Sequence, residues 1–443
     1  MARTPVDLVV LPRWLVPIQP TGAVLTEHAL VVNAGRIVDI QPAAFADQLY
    51  APAATRELPD HALLPGFVNA HAHSAMTLLR GLADDLPLMD WLNHHIWPAE
   101  AAHVGPDFCR VGVTLACAEM LRSGTTCFND MYFFPEVTAE VVHHVRMRAC
   151  IGLIVLDFPS AWAQDADGYI RRGLEVHDDV KALNDLLVTT AFAPHAPYTV
   201  SDAPLLKIRR YANELDIPIH MHVHETAAEV QAPDASGRRP WQRLMALGLP
   251  GPDFIAVHMT QLTDVEFTQV VESGTSVVHC PESNLKLASG FCPAAKLLGA
   301  GVNVALGTDG AASNNDLDMW GEMRTAALLA KGVAQDATAL PAATALHMAT
   351  LGGAHALGLG DEIGSLEKGK AADFIAVDLS GPEAHPVYNV LSQLVYATGR
   401  AQVTDVWVAG QALLRDRQLT TLDLAALRPQ VAEWQGRVAA TKP

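Results

Sequence analysis

The chain has 443 residues, 50% hydrophobic and 18% charged, with 30 Lys and Arg against 48 Asp and Glu for a formal net charge of −18. A folded chain of this size buries roughly three quarters of its extended surface, so the composition excludes disorder. The negative charge is spread along the chain and repels a nucleic-acid backbone.

The opening segment MARTPVDLVVLPRW lacks the apolar core and cleavage site of a signal peptide. Nor is there a run of about 18 uninterrupted apolar residues, which predicts a cytoplasmic chain without a membrane partner. Six cysteines form no CxxC pair and read as buried free thiols. Residues 7–11 and 29–40 are β-branched runs, the second broken by the turn signal Asn33-Ala34-Gly35, and 372–379 and 404–415 repeat the design around Ala409-Gly410. Matching segments at opposite ends predict that both termini build one small β-sandwich, formed by 1–63 with 364–443.

Between them, 64–363 alternates short apolar runs with amphipathic stretches, the pattern of βα units around a parallel sheet. Eight strands are predicted, at 66–73, 125–130, 149–156, 188–195, 217–222, 254–258, 276–279 and 302–309. Eight is the number of a (β/α)8 TIM-like barrel. Helices are predicted over 106–122, starting at Pro106 and stopping before Gly124, and over 201–215 with Ser201 as N-cap. The segments 161–169 and 231–238 read as longer barrel loops that shape an entrance.

Barrel sites assemble where the strands end, and the predicted ends carry His71 and His73, Asp130, Asp157, His195, His222, His258, His279 and Asp309. A lone histidine at an apolar strand end is usually a satisfied core residue, but this many at one rim favour a metal or catalytic site. His71 and His73 share one strand face and can enter the barrel together. His220, His222 and His224 also share one parity, so periodicity does not choose a ligand among them. Asp130 and Asp157 read as structural, and His279 as positioning the loop that follows it. The spacings of HExxH, of HxE with PCxxC, of GxxxxGK[ST] and of GxGxxG are all absent.

HAH at 71–73, His222 to Glu225 as H-x-x-E, His258 in AVHM and GTDGAASNN around Asp309 resemble the amidohydrolase superfamily. NAHAHSAMTLLRGLADDLPLMDWL, IWPAE and PESNLKLASG look like its 5′-methylthioadenosine/S-adenosylhomocysteine deaminase branch. The resemblance covers nearly the whole chain and implies a metal-dependent barrel with a small sandwich built from both ends. It implies His71, His73, His222 and Asp309 as metal ligands and Glu225, His258 and Asp309 as catalytic groups. It also implies that Glu100, at the end of Trp97-Pro98-Ala99-Glu100, grips the ribose hydroxyls while His195 touches the substrate, with Trp97 in the same binding set. His220 and His224 become supporting residues.

Strand four, Thr189 to His195, carries no lysine to bridge a second ion. One ion per subunit is therefore expected, zinc by its ligands, with Fe2+ or Mn2+ also fitting them. The expected reaction is attack of metal-bound hydroxide at purine C6, the ion having lowered the pKa of its water from about 15.7 toward about 7. Asp309 takes the water's proton, Glu225 protonates the adjacent ring nitrogen, His258 orients the nucleophile, and ammonia leaves. The partner is a small nucleoside, and a homo-oligomer stays open. The same site could instead serve another aminated or chlorinated ring, a triazine or guanine, and a non-catalytic metal-stabilised scaffold is the reading from a different class. Arginines at 171–172 and 238–239 could receive a homocysteine carboxylate, although solvated surface positions are their default.

Overall fold

The computed structural model describes residues 2–231 and 237–441. Of the two expected entrance loops, the one at 231–238 therefore lies largely outside the described residues. The other ends where Asp165 caps a helix over Ala166–Ala182 by accepting the Gly168 N–H.

Eight parallel strands form one sheet in simple sequential order: Phe67–Ala72, Thr125–Tyr132, Arg148–Val155, Val188–Pro194, Ile219–Val223, Phe254–His258, Ser276–His279 and Val304–Leu306. Every strand is buried almost throughout, as strands covered on both faces must be. The sheet closes where Ala72 bridges Asp309 in parallel and the Asp309 N–H donates to the His71 carbonyl at 3.1 Å. The first and last strands thus meet at the rim that carries the titratable residues. The predicted helix at 106 runs over Pro106–Ser123 and stops at Gly124, whose φ of 92° only glycine adopts freely. The helix predicted over 201–215 runs over Asp202–Leu215, although the Ser201 hydroxyl makes no cap bond.

Both ends of the chain build a second, mixed sheet of nine strands. Its centre is Tyr50–Pro65, which pairs in parallel with Thr4–Leu15 and antiparallel with Phe374–Asp378. The sheet bends back on itself: Arg36 bridges Ala371, and a Cβ at Gly35 would lie 2.8 Å from the Ala409 carbonyl oxygen. Inside the fold Phe374 stacks on Trp407 at 4.5 Å, with Leu30, Leu63 and Ile37 around them. The sandwich is thus one continuous curled sheet. The last helix, Leu424–Ala439, returns to the barrel and packs Trp434 edge-on against Phe108 at 5.3 Å. Among the described residues no helix is long and apolar enough to cross a membrane.

Candidate active site

Four side chains from three strand ends converge at the barrel mouth. His71 and His73 come from the end of the first strand, His222 from the fifth and Asp309 from just beyond the eighth, and one ligand atom of each lies within 4.8 Å of the others. Nε2 of His71 is 3.3 Å and Nε2 of His73 3.2 Å from Oδ1 of Asp309, while Nε2 of His222 is 3.1 Å from Nε2 of His71.

The second nitrogen of each ring decides what the first can do. Nδ1 of His73 donates to the Met131 carbonyl at 2.5 Å, and Nδ1 of His222 donates to the His195 carbonyl at 2.7 Å. In a neutral ring so held, Nε2 presents a lone pair. Burial pushes both His71 and His222 toward that neutral form. At His73 burial works the same way and is the largest single effect, but Asp309, the Met131 carbonyl and Asp130 together outweigh it and raise the pKa. The cluster calls for a positive charge beside the carboxylate. Three imidazole lone pairs and a carboxylate aimed at one point repel unless a cation sits among them, so this donor set fits a divalent metal. His220 is not in the group; its Nε2 backs Nδ1 of His71 at 2.9 Å. His224, where φ is 53°, accepts the Trp241 N–H instead.

Around the four lies a cavity of about 340 Å3 whose lining includes His73, His222 and Asp309 with Trp97, Glu100, His195, Glu225 and His258. The catalytic and substrate-contact candidates of the sequence thus share one space. Glu225 is buried, and burial pushes its carboxyl well above the usual range, with Asp309 and Glu229 adding to the effect. Its backbone N–H donates to Glu229 at 2.7 Å, and its carbonyl accepts the Thr260 hydroxyl at 2.7 Å. His258, at φ 77°, holds Nε2 3.9 Å from Glu225, while the Asn284 side-chain amide bonds its Nδ1 at 2.9 Å. Burial lowers the His258 pKa to about 3, and that of His195 likewise to about 3. Both rings are neutral.

Asp309 accepts the Ser283 hydroxyl at 2.7 Å and the Gly310 N–H at 2.9 Å. Glu100, on the short helix Trp97–His103, accepts the Tyr132 hydroxyl at 2.7 Å, and burial raises its pKa to about 7. The chain immediately before that helix, Leu92–Ile96, makes a π turn, a feature frequent at functional sites. Asp130 and Asp157 stay out of the cavity lining: Asp130 accepts the Ser74 N–H at 2.7 Å and Asp157 the Ser201 N–H at 2.9 Å. His279 is buried and is not among the residues lining the cavity.

Sequence reasoning missed the residues that hold these groups, namely Tyr132, Glu229, Ser283 and Asn284. Ser283 and Asn284 lie inside the segment PESNLKLASG that carries the resemblance, and Tyr132 shares strand parity with Asp130.

A family model described as "Amidohydrolase family" matches residues 62–413. The chain is 49% identical over 441 residues, 99% of its own length and 98% of the other, to the 5-methylthioadenosine/S-adenosylhomocysteine deaminase of Saccharophagus degradans. Among solved structures it resembles a zinc-bound adenosine deaminase from Xanthomonas campestris, with a TM-score of 0.98 and 56% identity over 99% of this chain and 100% of that one. A triazine hydrolase variant, at TM-score 0.89 but 21% identity over 97% and 99% of the two chains, shares the fold.

Proposed function

The chain belongs to the amidohydrolase family, and from that premise we propose that it is a zinc-dependent aminohydrolase, converting 5′-modified adenosines to the corresponding inosines and ammonia. One observation carries this reading: His71, His73, His222 and Asp309 converge in a cavity that also receives Glu225 and Glu100. The relatives named for methylthioadenosine and adenosylhomocysteine deamination, and the zinc in the adenosine deaminase, support it. Residues 64–363 form the catalytic unit in this reading, and 1–63 with 364–443 the smaller one. Six buried free thiols support a cytoplasmic setting.

In the proposed roles His71, His73, His222 and Asp309 hold the ion. The chemistry that zinc supplies when bound is Lewis-acid activation of water. Asp309, held ionised and oriented by the Ser283 and Gly310 donors, is placed to accept a proton from the attacking water. Addition at C6 drives electrons toward the neighbouring ring nitrogen, and Glu225, kept protonated by burial, delivers a proton there. His258, fixed by Asn284, orients the incoming water. Glu100 accepts the ribose hydroxyls, with His195 and Trp97 lining the space around the nucleoside. Asp309 returns its proton to the amine, the C6–N bond breaks and ammonia leaves, and loss of the remaining hydroxyl proton, which restores the Glu225 acid, leaves the oxo-purine. Zinc-loaded protein given adenosine, 5′-methylthioadenosine and S-adenosylhomocysteine should shift adenine absorbance to that of hypoxanthine and release ammonia. No turnover of any of the three would overturn the reading.

A further inference from the structure

The wall around Glu100 says more about the substituent on the ribose. Trp97, Ala101 and Val104 lie on or directly after the helix that bears Glu100, and across from them runs the loop after the third barrel strand, with Phe158 and Ala161. The Trp97 and Phe158 rings meet at 6.4 Å, so the two walls face one another. Among the described residues lining this cavity there is no Lys or Arg, whereas three carboxylates, those of Glu100, Glu225 and Asp309, border it.

None of the four arginines that the sequence offered to a carboxylate lines this cavity, and Arg171 is exposed. Arg172 pairs with Glu136 at 3.2 Å, donates to the Trp162 carbonyl and lies over the Trp162 ring at 4.9 Å. Arg239 pairs with the buried Glu266 at 2.7 Å. Arg238 borders a second cavity, of about 350 Å3, that shares Leu88, Tyr198 and Glu225 with the first. Because Glu225 faces the purine, that space opens at the base end and not at the 5′ end.

Resting on the deaminase reading, we infer that the site selects a neutral, apolar 5′ substituent, a small thioether or alkyl group, and disfavours an amino-acid zwitterion. A methylthio group gains apolar and sulfur–aromatic contact with Trp97 and Phe158. A homocysteine carboxylate would instead lose water against an apolar, arginine-free wall near Glu100, with no cation to pair it.

The test compares kcat/KM for 5′-methylthioadenosine, 5′-deoxyadenosine and S-adenosylhomocysteine on the zinc-loaded full chain. Both small substrates should exceed S-adenosylhomocysteine by at least about tenfold. Ala161→Arg, at the exposed edge of the wall, should narrow that ratio through a lower KM for S-adenosylhomocysteine. S-adenosylhomocysteine used as well as 5′-methylthioadenosine would overturn the inference. So would a selective loss of its turnover in Arg238→Ala, or an unchanged ratio in Ala161→Arg. Absence of turnover with all three substrates would instead sink the deaminase reading itself.

Discussion

Nε2 of His222 faces Nε2 of His71 at 3.1 Å, while Nδ1 of His222 is committed to the His195 carbonyl. With its proton on Nδ1, His222 turns the Nε2 lone pair into the cluster with His71, His73 and Asp309, where a divalent cation would take it up. Dialysis against a chelator should therefore abolish deamination and lower the thermal midpoint, since a ligand held at 100 times its Kd adds about 2.7 kcal/mol of stability. Readded zinc should restore both. His222→Ala should reduce zinc content from one per chain to near none, measured by elemental analysis. Full occupancy in that variant would remove His222 from the ligand set.

Glu225 sits where a proton is needed, and burial pushes its carboxyl well above the usual carboxylate range, toward the acid form. Glu225→Gln keeps the shape and the backbone bonds to Glu229 and Thr260 but loses the transferable proton. We expect kcat to fall about 10²- to 10⁴-fold with zinc content and KM little changed. A loss below tenfold would mean that another group protonates the ring.

The barrel was legible because each strand is a short apolar run that ends in a titratable residue. The strand Tyr50–Pro65 was not, because Pro52, Arg56, Glu57 and Asp60 break any pattern a central strand should show. Pro52 is tolerated there because Phe374–Asp378 pairs only with residues 61–65, which leaves the first half of the strand bonded on one side. At the site, strand parity could not separate His220, His222 and His224. What separates them is depth: His222 reaches the cluster, while His220 stands behind His71. The groups that orient the others, such as Asn284 on His258 and Glu229 behind Glu225, act through loop geometry that residue spacing does not encode.

Glu100 gives the site a pH dependence whose sign is fixed by its environment. Burial raises its pKa from 4.5 to about 7, so the acid form dominates below that value and the carboxylate above it. Two ribose hydroxyls are best accepted by the carboxylate. The KM for 5′-methylthioadenosine should therefore rise as pH falls through about 7, and Glu100→Gln should flatten that limb. Glu100→Ala should weaken nucleosides far more than free bases; equal losses would favour a substrate without ribose.

Gly307 lies where the barrel closes. A Cβ there would come within 2.8 Å of the His71 Cβ and 2.9 Å of its backbone N and O. The obstacle is largely backbone, so it cannot swing aside. Gly307→Ala should push the first strand outward, move His71 off its partners and lower zinc affinity before it lowers helix content. The check is zinc titration alongside far-UV circular dichroism, and unchanged zinc affinity would show that the strand yields without moving His71.

Arg148 fastens the foot of the barrel to the terminal sheet. Its guanidinium donates to both oxygens of Asp373 at 2.8 and 3.2 Å with almost no solvent access, and it also reaches the Leu186 carbonyl at 3.1 Å. Asp373 in turn accepts the Ala409 N–H at 2.7 Å. Breaking a buried pair by removing one partner costs about 3–5 kcal/mol, chiefly because the other charge is stranded. Arg148→Met should therefore destabilise the fold by about that much in urea unfolding. Adding Asp373→Asn removes the stranded charge and keeps an acceptor for Ala409, so the double variant should be more stable than Arg148→Met alone. A double variant whose cost equals the sum of the two single costs would mean that the two charges do not depend on one another.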